Sequence, residues 1–142
     1  MYDYYYNQMS DKSTILRGFN NHFFDFLNDV AEIIDNNEEI LTSKIFFETV
    51  KKANPTLIIK CWQLYVYNPY KDIIDSGDVN YFLEKNYESD VSIMSNSNEI
   101  MESINKIRAP IKIMTKVNQE HSMKYIQNLS KLSALYNNSA TI

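Results

Sequence analysis

Apolar residues recur along this chain at spacings of three and four, a rhythm that predicts helices almost throughout. Between Asp11 and Ile34 the apolar set is Ile15, Leu16, Phe19, Phe23, Phe26, Leu27, Val30, Ile33 and Ile34. That is one face of a first helix, with Asp11 or Ser13 as its cap and Asn36-Asn37 ending it. A second helix is expected from about Thr42 to Ala53, presenting Ile45, Phe46, Thr49 and Val50. Asn54-Pro55 then starts a third, because Asn can accept from an orphan amide and Pro at the first helical position gives up an amide without a partner. This helix runs to about Tyr67 and is apolar nearly all round, from Leu57, Ile58 and Ile59 through Cys61 and Trp62 to Leu64, Tyr65 and Val66. A helix without a polar face belongs at the buried centre of its domain. Asn68-Pro69 opens a short helix stopped by Ser76-Gly77, with Gly77 as a left-handed cap. Asp78 caps one more turn or two, with Tyr81, Phe82 and Leu83 inward, and from Asn86 to Asn98 the pattern fades into a loop.

The last third is the most regular. Ile100, Ile104, Ile107, Ile111 and Met114 follow at spacings of four, three, four and three, and Tyr125, Leu129, Leu132 and Tyr136 bring the stripe back to the same side. Residues 98–138 thus read as one long amphipathic helix of roughly 60 Å at about 1.5 Å per residue, more than a domain of this size needs to cover its core. Pro110 is expected to kink it or break it in two, by removing one backbone bond and crowding the preceding turn. The fold class is all-α: a compact helical domain with a long amphipathic C-terminal helix. Residues 1–10 form a flexible Tyr-rich tail, 11–97 the helical core, and 98–138 the long helix packing on the core or on a partner. No strand alternation and no internal repeat is visible.

On a 100°-per-residue projection Asn118, His121 and Ser122 interrupt the apolar stripe with a polar layer. Such a layer fixes register when it pairs across two helices. The stripe, with Asn118 and His121 in it, is therefore the candidate interaction seam, with self-association or a protein partner as its purpose. The opposite face carries Lys106, Lys112, Lys116, Lys124 and Lys131.

Charge sharpens that contrast. Residues 1–102 hold 8 basic and 17 acidic side chains, a net of −9; residues 103–142 hold six basic and only Glu120, a net of +5, giving −4 for the chain. The lysine face suits an acidic neighbour, a second copy's acidic front, or, less well in an acidic chain, nucleic-acid phosphates bound without sequence preference. Asn and Ile occur 17 times each, Lys 12 and Tyr 11, against two Arg and two Gly. This bias toward AT-rich codons warns against reading the tyrosines as chemistry.

Catalytic signatures are missing. Gly18 and Gly77 cannot build a phosphate-cradling loop. Cys61, beside Trp62 on the most apolar helix, reads as an inert core thiol, and as the only cysteine it implies no disulfide and a reducing, intracellular setting. His22 with Asp25 or Asp29 is the one pair with ligand-like spacing, too few for a metal site. The expectation is no enzyme, no cofactor, no metal and no small-molecule substrate. No apolar run approaches the ~20 residues of a membrane span, and the start lacks a signal peptide's basic and apolar blocks.

Phe19-Asn20-Asn21-His22-Phe23, Lys52-Ala53-Asn54-Pro55 ahead of Trp62, Pro69-Tyr70-Lys71, and His121-Ser122-Met123-Lys124-Tyr125-Ile126-Gln127-Asn128-Leu129-Ser130 resemble small helical proteins of the nucleocytoplasmic large DNA viruses, the mimivirus-like and algal viruses. The resemblance spans roughly residues 15 to 136 and transfers no site. It implies a non-enzymatic virion-associated or minor capsid-like assembly protein, found in the virion and the host-cell cytoplasm, acting through helix-mediated contacts. A nucleic-acid-associated or regulatory factor using the lysine face is the alternative.

Overall fold

The computed structural model describes residues 11–35, 37–84 and 98–138. Every regular element among them is helical. In order they are α1 (Lys12–Ile33), α2 (Glu38–Ala53), α3 (Leu57–Cys61), a π-helical segment (Trp62–Tyr67), α4 (Asn68–Ser76), α5 (Val79–Glu84), α6 (Asn98–Lys112) and α7 (Lys116–Asn138). No helix among the described residues is long and apolar enough to cross a membrane. The Tyr-rich tail and the loop expected over 86–97 lie outside the described residues.

The caps explain the boundaries. Asp11 starts α1 by accepting from the Thr14 amide at 3.1 Å. Asn37, which reads in the sequence as a terminator, is the cap of α2: its side-chain oxygen accepts from the Glu39 and Ile40 amides. That cap, with Glu38 and Glu39 favourably placed at the positive end of the helix, starts α2 four residues before the expected Thr42. Asn54 accepts from the Thr56 amide at 3.1 Å and shapes the turn before α3. Gly77 ends α4 at φ +75°, a left-handed conformation that a Cβ would strain. Tyr81 is 54% exposed, outward rather than inward, while Leu83 is buried.

The stretch from α3 through α4 holds the centre. Ile58, Trp62, Val66, Tyr70 and Ile74 are all buried, one every fourth residue. In an α-helix a step of four overshoots a turn by about 40°, so five such positions would wind away from one core. The i→i+5 segment turns less per residue and cancels part of that drift. Its bonding is visible where the Asn68 amide donates to the Gln63 carbonyl. Pro69, with no amide to donate, and Tyr70 at φ −123° then mark a kink inside α4. Around Trp62 the aromatic core assembles from α1 and α2: Phe19 and Phe23 meet the indole at 6.1 and 6.2 Å between ring centroids, and Phe23 meets Phe47 edge-on at 4.9 Å.

The helix expected to be continuous over 98–138 is two helices. Pro110 stays inside α6, and the chain turns three residues later. The Ile113 and Met114 amides donate to the Pro110 and Ile111 carbonyls, a tightened last turn. The Gln119 side chain donates to the carbonyls of Ile111 and Lys112, and Thr115 Oγ1 accepts from the Asn118 amide to start α7. The break sits where side chains can satisfy both orphaned ends.

α7 packs most extensively on α1 and also lies on the π-helical segment. Its buried face is Ser122, Met123, Ile126, Leu129, Ser130 and Ser133. The small serines allow close approach, and Trp62 Nε1 donates to Ser130 Oγ at 3.0 Å in the core. Ser133 Oγ lies 2.7 Å from Gln63 Oε1 and 2.8 Å from the Ser130 carbonyl. Ser130→Ala strands the buried indole N–H and is expected to cost about 1–3 kcal/mol in urea unfolding. Ser130→Leu adds overpacking of about 1–3 kcal/mol more.

Candidate functional site

The structure places most of the expected seam inside the molecule. Ile107, Ile111 and Leu129 are buried, and Met114, Tyr125 and Leu132 pack partly buried against the same core. Asn118 is half-buried and His121 exposed; the side chains of Ile100 and Ile104 lie outside the described residues. The buried part of the seam is covered by α1 and α2 of the same chain. The turn at 113–115 interrupts the expected continuous stripe, and on α7 the buried face is Ser122, Met123, Ile126, Leu129, Ser130 and Ser133.

Inside that packing, α1 and α7 bring three polar side chains around one ring. Tyr125 on α7 donates its hydroxyl to Asp29 on α1. His22, two turns earlier on α1, lies against the Tyr125 ring at 4.7 Å between centroids, and His121 approaches its edge at 5.5 Å. Phe26 stacks at 5.1 Å. Both histidines of the chain therefore meet the same tyrosine, a convergence that the seam arithmetic missed because Asp29 and His22 are about 100 residues away. The hydrogen bond to Asp29, then burial, pushes the Tyr125 phenol up to about 12. Burial lowers the His22 pKa, against the opposing pull of Asp25 and Asp29. Its Nε2 is buried without a hydrogen-bond partner, so a proton there would sit unpaired.

The Asp29 carboxylate is committed to Tyr125, and a phenol held at about 12 is a poor general base or nucleophile near neutrality. Among the described residues no group of three or more His, Cys, Asp or Glu is placed to hold a metal. Cys61 is buried in the core.

Two surface features stand out among the described residues. All five lysines of the expected basic face are exposed, Lys106 and Lys112 on α6 and Lys116, Lys124 and Lys131 on α7. At the α6–α7 joint between them, Ile113 and Val117 are 78% and 73% exposed, the two most exposed large apolar side chains among those described. The second feature is a groove of about 420 Å³ between α2 and α6, lined by Glu38, Glu39, Thr42, Ser43, Phe46, Glu102 and Lys106. Three of its side chains are acidic and one is basic, with the Phe46 ring as apolar floor. Neither feature is legible from periodicity, since both depend on where the joint turns and on which faces α2 and α6 cover.

A group whose folded-state pKa lies above its unfolded value gives stability that is intact below the unfolded value, ~10 for Tyr, and lost as pH rises through the folded one. The Tyr125 contribution should therefore vanish between pH ~10 and about 12. Tyr125→Phe is expected to cost about 1–2 kcal/mol at neutral pH and to remove that alkaline loss, read by urea unfolding across pH. No protein-family model matches the chain, and neither a curated protein nor a solved structure gives a significant match.

Proposed function

We propose that this chain is a non-enzymatic contact protein, a virion-associated or assembly component of the large-DNA-virus kind that its sequence resembles. It works through helical surfaces rather than through a reaction centre. The observation carrying this reading is the apolar pair Ile113 and Val117, the two most exposed large apolar side chains among those described, each directly following an exposed lysine, Lys112 and Lys116. Leaving two β-branched side chains in water at a helix joint favours covering them by a partner. Lysines beside them favour an acidic rim on whatever covers them.

The test is quantitative mass spectrometry of purified particles. The reading expects many copies in fixed ratio to the capsid proteins. It also expects Ile113→Asp to reduce incorporation at least about tenfold, equivalent to about 1.4 kcal/mol, with unfolding unchanged. Abundance in infected cells together with absence from particles overturns it.

A second reading is favoured by one arrangement: Lys116, Lys124 and Lys131 share the outward side of α7, though Glu120 lies among them. A nucleic-acid-associated factor using that side would bind duplex or single strands weakly, with an affinity falling steeply with salt. Replacing Lys112, Lys116 and Lys124 by Glu would abolish this binding in a filter assay. No binding at low salt removes this alternative.

A further inference from the structure

Four positions along α6 and its exit are exposed and spaced as one stripe: Glu102, Lys106, Ala109 and Ile113, at i, i+4, i+7 and i+11. At one end of this stripe is the acidic groove, where Glu102 meets Glu38 and Glu39 over Phe46. At the other end is the apolar knob of Ile113 and Val117, beside exposed Lys112 and Lys116. The two ends lie about 16 Å apart at 1.5 Å per residue. One is concave, acidic and floored by an aromatic ring; the other is convex, basic and tipped by aliphatic side chains.

The geometry points to a second copy of this chain as the occupant of both. Two α6 helices laid antiparallel about a two-fold axis between Lys106 and Ala109 bring each Ile113 to the other's Glu102. Every contact is then made twice, as an isologous interface requires. The knob of each copy enters the groove of the other, and Lys112 and Lys116 meet Glu38 and Glu39. Ala109 near the axis is the small residue that lets the two backbones close up. A parallel arrangement would set knob beside knob and acid beside acid, which like-charge repulsion disfavours. The assembly is closed at two chains, because each copy's knob and groove are both occupied.

This pairing rests on the reading of the chain as a contact protein and names its partner. Sedimentation equilibrium of the full chain tests it. The weight-average mass should rise with concentration from one chain and level at two. Ile113→Asp with Val117→Asp should keep the chain single over the same range, at least a tenfold weakening. Lys112→Glu with Lys116→Glu should also weaken pairing, and adding Glu38→Lys and Glu39→Lys to the same chain should restore it. A cysteine cross-link gives an independent readout, since the only native thiol, Cys61, is buried. Ala109→Cys should form a disulfide-linked dimer under mild oxidation, at least tenfold faster than Asn137→Cys. That control site is exposed and about 30 Å along α7 from the joint.

A chain single at every concentration overturns the pairing. So does a mass that climbs past two, or Ala109→Cys cross-linking no faster than the control. Pairing in solution with absence from particles overturns the assembly reading alone, whereas abundance in particles with a single chain in solution overturns the pairing alone.

Discussion

The hydrogen bond from the Trp62 indole to Ser130 ties the central segment of the chain to its C-terminal helix. It forms because α7 turns its serines, rather than its leucine and tyrosine stripe, toward the π-helical segment. Around it, Phe19 and Phe23 from α1 close on the same indole, and Gln63 reaches Ser133 one turn further along α7. A buried N–H needs its acceptor in place, so the position of Ser130 fixes how α7 lies on the core. That position in turn decides what α7 leaves outside: His121, Lys124, Lys131 and Val117. The exposed chemistry of the C-terminal third is thus set by a polar contact in the core.

Much of the helical content was legible because periodicity and cap chemistry agree in those stretches. Asp11 and Gly77 act where the sequence suggests, and the stretch around Trp62 is indeed the centre, whereas Asn54 ends α2 and shapes the turn rather than capping α3, which starts at Leu57 and not at Pro55. Two errors have physical sources. The first helix does end before Asn37, as expected, yet Asn37 also caps the next one, so α2 starts at Glu38 rather than at Thr42. Pro110 looked like the breaking point, yet a proline removes only one bond. The chain breaks instead at Thr115, where a hydroxyl can start a new helix and Gln119 can close the old one. With the break three residues later, the face of α7 turned to the core is Ser122, Met123, Ile126, Leu129, Ser130 and Ser133, and of the expected seam on α7 only Leu129 is fully inside.

The site features were less legible, since each joins elements far apart in sequence. The Asp29–Tyr125 contact and the two histidines around it depend on α1 lying along α7. The groove under Glu38, Glu39 and Glu102 depends on α2 lying along α6. Single-sequence reading finds which side of a helix is apolar, but not which of two apolar sides will be covered. Ile113 and Val117 lie off the expected apolar stripe, and both are left in water at the joint.

The π-helical segment has a consequence for how this chain can change in length. It holds, in effect, surplus backbone relative to an uninterrupted α-helix, and that surplus keeps Ile58, Trp62, Val66, Tyr70 and Ile74 on one core. A codon lost between Trp62 and Tyr67 would restore ordinary pitch without breaking the helix, yet it would swing Tyr70 and Ile74 away from their neighbours. A substitution at one of the exposed positions there, such as Leu64, would leave that phase intact. Descendants of this sequence should therefore vary freely in side chains along the outer edge of the segment while keeping its residue count constant.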